Sequence, residues 1–128
     1  MRRNTHAAAL FTLLTLGLGL HAYIAFFQST GGADSFNVAL LGWSIVPYAV
    51  ATALALMSRS ALVGIVPMAL VLLVDAWIYY EVFIHPKGST AALALLWMPL
   101  WNLILVVPIG AGAGWVWSSV LPADQNAP

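Results

Sequence analysis

Residues 58–87 read SRSALVGIVPMALVLLVDAWIYYEVFIHPK. An apolar run from Ala61 to Ile84 lies between the polar turn Ser58-Arg59-Ser60 and the breaker His85-Pro86-Lys87-Gly88. At about 1.5 Å per helical residue this run is roughly 36 Å long, enough to cross a hydrocarbon core of about 30 Å. It therefore reads as a membrane-spanning helix. Its interior carries a carboxylate, Asp75. An ionisable side chain inside a lipid-spanning segment is costly, so Asp75 is a functional-site hypothesis by default.

Working outward, the flanks repeat the pattern. Before the turn lies a second apolar run, Phe36 to Met57. Ser58-Arg59-Ser60 is so short that the two helices it joins must be antiparallel neighbours. After Ile84, Pro86 and Gly88 stop the helix, and Ser89 or Thr90 can cap the next one. That helix runs from Ala91 to Trp117, and its length predicts a tilt, a kink or a frayed end. Toward the N-terminus, Gln28 to Ser35 is a loop broken by Gly31-Gly32, with Asp34 or Ser35 as cap. Ala7 to Phe27 forms the first span, preceded by polar residues that include Arg2 and Arg3. A charged start before an apolar run is also a signal-peptide pattern. Here the run is longer than an ordinary signal core, and Tyr23-Ile24-Ala25 lacks a small residue at the −3 position, so an uncleaved helix is expected. The tail 118–128 is polar and expected to be mobile.

Composition agrees. The chain has 128 residues, 62% hydrophobic and only 6% charged, where a soluble domain is about 25% charged. The expected fold is all-α: one polytopic membrane domain, an antiparallel four-helix bundle with spans near 7–27, 36–57, 61–84 and 91–117. Arg2, Arg3 and Arg59 fall at one end and Lys87 at the other, which favours cytoplasmic N- and C-termini in the inner (cytoplasmic) membrane, with dual topology as the alternative. Zero formal net charge leaves no basic footprint for nucleic acid. The absence of Cys excludes disulfides, thiolate metal sites and thiol catalysis.

Other residues suit a packed bundle. Pro47, Pro67, Pro99 and Pro108 lie inside spans, where neighbours can re-satisfy the backbone. Gly110 and Gly114 form a Gly-xxx-Gly pair that permits close helix approach. Tyr23, Phe26 and Phe27 at one end, with Trp115 and Trp117 at the other, read as interfacial belts.

The informative feature is a clustering in depth. Counted from the same end of the bundle, His21 lies roughly 9 Å deep, Ser44 roughly 12 Å, Asp75 roughly 13 Å and Asn102 roughly 16 Å. Every helix thus offers a polar group at a similar level. Asp75 and Asn102 are the best pair, because a short loop makes their helices a hairpin. The structural reading is polar glue worth about 1 kcal/mol or less; the functional reading is a proton or cation site. Tyr79 follows Asp75 by four residues and shares its face. Glu81 is rotated roughly 120° from that face and pairs in sequence with His85, four residues on. A solvated rim pair outweighs a gating role there, since exposed ion pairs contribute little.

His21 reads first as a histidine bonded to a neighbouring helix. Haem would need a second His at matching depth, and His85 and His6 are misplaced for it. No spacing gathers three metal ligands, so neither a metal nor another cofactor is expected. Trp43, Trp77, Trp97 and Trp101 could line an aromatic pocket with Tyr48, although lipid-facing packing is the commoner use of such residues. No phosphate-binding loop, nucleophile elbow or metalloprotease motif is present, so no catalytic residue is assigned and an enzyme is not expected.

In size, helix number and membrane-embedded carboxylate the chain resembles the small multidrug-resistance transporters. Those carry their essential Glu in the first helix, and the first helix here has no acid, so no residue carries over. Two functions remain foremost. One is an accessory or interaction subunit, immunity proteins included, that meets a membrane-protein partner or a second copy through embedded helix faces. The other is a proton- or cation-coupled transporter or channel subunit using Asp75 as a homo-oligomer. A membrane enzyme acting on lipid ranks third.

Overall fold

A computed structural model describes residues 2–28, 34–86, 88 and 93–120. It contains four helices long and apolar enough to cross a membrane, and no strand among the described residues. Helix α1 spans Arg2–Tyr23 and continues through a π-helical turn, Ile24–Gln28. Helix α2 spans Ser35–Met57. Helix α3 spans Leu62–Tyr79 and also ends in a π turn, Tyr80–Ile84. Helix α4 comprises Leu93–Trp101, a π turn Asn102–Val106, and Val107–Val120.

The ends differ from the sequence expectation by a few residues. α1 is already helical at Arg2, and α4 runs to Val120 rather than stopping at Trp117. Fraying rules place helix ends no better than this. Gly31-Gly32, Lys87, the Ser89 or Thr90 cap and the tail from Leu121 lie outside the described residues. Asp34 is the cap of α2: its Oδ1 accepts from the Asn37 N–H at 2.7 Å. At the opposite end Ser60 Oγ accepts from the Leu62 N–H at 3.3 Å and shapes the turn into α3.

α2 and α3 lie centrally, each packed against α1, against α4 and against one another. The bundle has two unlike ends, named here for His85 and Arg59. Toward the Arg59 end small residues bring the helices together. Gly64 rests on the Ala51 carbonyl and Ala55, Gly110 on Pro67, and Gly114 on the Leu62 carbonyl. A Cβ at any of the three would collide with backbone, which is the close approach expected of Gly110 and Gly114. Tyr48, Ala51, Met68, Val71 and Val107 form the buried core next to this contact. Pro47 and Pro67 are fully buried with them, while Pro108 faces outward.

Toward the His85 end the packing loosens and all three π turns occur, one each in α1, α3 and α4. A π turn accommodates an extra residue in the helical ladder and is often found at functional sites. In α4 the Asn102 carbonyl accepts from the Val107 N–H, five residues on, three residues after Pro99 has withdrawn a donor from the ladder.

Candidate functional site: a four-helix polar centre at Asp75

Asp75 is 6% exposed and receives hydrogen bonds from three other helices. Tyr48 of α2 donates its hydroxyl to Oδ2 at 2.8 Å. Asn102 of α4 donates Nδ2 to Oδ1 at 2.8 Å. His21 of α1 places Nε2 2.9 Å from Oδ2. A carboxylate can only accept, so Nε2 carries the proton in that contact when Asp75 is ionised. The edge of the His21 ring meets Tyr48, with centroids 5.7 Å apart and planes at 74°.

Helix direction explains why these four meet. Measured from the His85 end, His21 is about 10 Å deep, Asp75 and Asn102 about 13 Å, and Tyr48 about 20 Å. Side chains on a helix lean toward its N-terminus. α1 and α3 run toward the His85 end, so His21 and Asp75 lean inward. α2 and α4 run away from it, so Tyr48 and Asn102 lean back toward that end. The long phenol of Tyr48 spans the remaining gap. Gly17 lies against its ring and leaves no room for a Cβ.

Two oxygens share the donors unequally. Oδ2 takes His21 and Tyr48, and Oδ1 takes Asn102. Asn102 is 1% exposed, and its own Oδ1 has no hydrogen-bond partner among the described residues. The centre therefore holds one buried acceptor beyond its donors, beside a carboxylate that could itself become a donor on protonation.

A small chamber adjoins the centre. It is about 20 Å³, room for about one water, and His21, Ser44 and Asp75 are its polar lining. A larger cavity of about 310 Å³ lies nearer the His85 end, lined by all four helices (α3 through Phe83), with Gln28 and Asn37 among otherwise apolar described walls. The two share Ile24, Leu40 and Leu95.

Comparison with known proteins finds no matching family model, curated protein or solved structure. The centre must be read from its own chemistry.

The structure gathers Asp75, Asn102 and His21 by direct bonds and sets Ser44 in the chamber wall. Tyr79 stands apart, its hydroxyl accepting from Gln28 Nε2 at 3.2 Å. At the rim His85 is exposed with its ring 4.8 Å from that of Tyr80, and Glu81 is half-buried. Of the four tryptophans considered for an aromatic pocket, Trp43 and Trp97 line a shared surface groove of about 410 Å³ with Leu96 and Leu100. Trp43 Nε1 donates to the Leu96 carbonyl at 3.0 Å. Trp77 and Trp101 are outside that groove and exposed. Among the described residues no three His, Asp or Glu side chains gather as a metal set.

Tyr48 is the partner that the sequence reading left among the aromatics. The available signal was its place four residues beyond Ser44, on the same face of α2 and one turn deeper.

Proposed function

We propose that this chain is a small integral membrane protein of the cytoplasmic membrane, with both termini inside, whose working centre takes up a proton at His21–Asp75 from the outer side. The observation that carries this reading is a buried imidazole–carboxylate contact at 2.9 Å that borders a chamber of about 20 Å³. One proton added to a neutral imidazole beside a carboxylate gives an imidazolium–carboxylate pair. The buried centre then goes from one negative charge to none, which in an apolar surrounding is a favourable change.

The geometry favours a proton over a metal cation. Three donors already occupy the carboxylate oxygens, and a chamber sized for one water excludes a hydrated ion. Four helices enclose little space, so coupling to transport of another solute would call for a homo-oligomer. Arg2, Arg3 and Arg59 against Lys87 support the orientation.

The test is a proton count. Purified protein in weakly buffered lipid nanodiscs is acidified stepwise, and wild type should bind one proton per chain more than Asp75→Asn. Equal counts for the two proteins would overturn the reading.

A second reading is favoured by one observation. Trp77 and Trp101 are exposed, at depths of about 10 and 12 Å from the His85 end, below the usual interfacial level. An accessory subunit that meets a membrane partner or a second copy through these faces would cover them. In that case the Asp75 centre is a lock holding four helices in register, and its proton count is zero.

A further inference from the structure

The larger cavity and the chamber at Asp75 share three side chains and nothing polar. Ile24 comes from α1, Leu40 from α2 and Leu95 from α4. We propose that Ile24, Leu40 and Leu95 form an apolar gate between the cavity at the His85 end and the His21–Asp75 centre, and that water and protons reach the centre through it. The inference rests on the proton-uptake reading for its purpose and adds how that site is reached and regulated.

Three observations converge on the gate. The opposite approach is closed: Tyr48, Met68, Val71, Pro47 and Pro67 are fully buried on that side, and the glycine contacts beyond them leave no room for a Cβ. On the His85 side the larger cavity reaches the three side chains, with Gln28 and Asn37 in its wall. The gate residues sit beside irregular backbone. Ile24 opens the π turn of α1, and Leu95 is the residue whose carbonyl loses its helical donor at Pro99. A constriction of apolar side chains blocks water by dewetting and opens with a small displacement. Among the described residues, His21 and Asp75 are the ionisable side chains lining the two cavities.

The test reads water access directly. Histidine is labelled with ¹⁵N in a His6→Gln, His85→Gln background, which leaves His21 as the reporter. Hydrogen–deuterium exchange of its ring N–H is followed by NMR in lipid after transfer to D₂O. Leu40→Ala and Leu95→Ala should each speed exchange about tenfold or more, and Leu40→Trp or Leu40→Phe should slow it. Slowing cannot arise from unfolding, so the enlarged side chains guard against a trivial result. Leu10→Ala, packed on the core toward the Arg59 end, should leave the rate within about twofold. Exchange indifferent to every Leu40 and Leu95 change, or accelerated as much by Leu10→Ala, would overturn the gate. Exchange needs no change in the protonation of Asp75. Loss of the proton-uptake reading would appear in the proton count instead, with the gate result standing by itself.

Discussion

His21 Nε2 and Asp75 Oδ2, 54 positions apart in sequence, meet at 2.9 Å in a pocket where both side chains are nearly buried. The contact gives the imidazole N–H an acceptor and adds a third donor to a buried carboxylate that Tyr48 and Asn102 already hold.

The two residues should therefore behave as one unit in a mutant cycle. Each interhelical bond in a membrane protein averages about 0.6 kcal/mol, so Asp75→Ala, which breaks three, should cost about 2 kcal/mol. His21→Ala should cost about 1 kcal/mol, and the double variant less than the sum, with a coupling of about 0.5 kcal/mol or more. Equilibrium unfolding in mixed detergent checks this. Strict additivity would mean the contact contributes nothing.

Gly17→Ala should destabilise the protein by about 1–3 kcal/mol, because its Cβ would overlap the Tyr48 ring. Gly19→Ala on the same helix faces open space and should be neutral or slightly stabilising, as alanine is the better helix former. Combining Gly17→Ala with Tyr48→Leu should recover part of the first loss. Tyr48→Phe, which keeps the ring, should not. Thermal unfolding of the four variants separates steric from hydrogen-bond effects.

The last helix offers a matching contrast. Gly114→Val would drive a side chain into the Leu62 carbonyl and should separate α4 from α3, whereas Gly112→Val points to open space and should be tolerated. A cysteine pair placed across α3 and α4 near this contact should cross-link in the Gly112 variant and fail to do so in the Gly114 variant.

Asp34→Ala removes the side chain that satisfies the Asn37 N–H and should cost about 1 kcal/mol. The loss should be local. Amide exchange should rise in the first turn of α2, and protection around Tyr48 should hold.

Much of this architecture is legible in the sequence, for physical reasons. Apolar runs bounded by Ser58-Arg59-Ser60 and His85-Pro86 announce helices because lipid forbids unsatisfied backbone, and rise per residue fixes depth. That reasoning brings Asp75, Asn102, His21 and Ser44 to one level. It does not reach Tyr48, whose Cα lies about 6 Å deeper than that of Asp75 and whose side chain supplies the difference by leaning toward the helix N-terminus. Nor do the π turns show in the pattern. An added residue in one turn rotates everything beyond it, so an ideal 3.6 period cannot say that Gln28, in the π turn of α1, reaches the Tyr79 hydroxyl. The glycines behave otherwise. Their spacing already singles out Gly110 and Gly114, four residues apart, and both lie against α3 while Gly112 meets open space.

The most direct test of the central claim is difference infrared spectroscopy of the protein in lipid as pH is lowered. The account predicts a pH-dependent change in the carboxyl bands that disappears in Asp75→Asn and is altered in His21→Gln. A wild-type spectrum with no pH-dependent band assignable to Asp75 would contradict it, and would leave the four-helix contact as a structural lock.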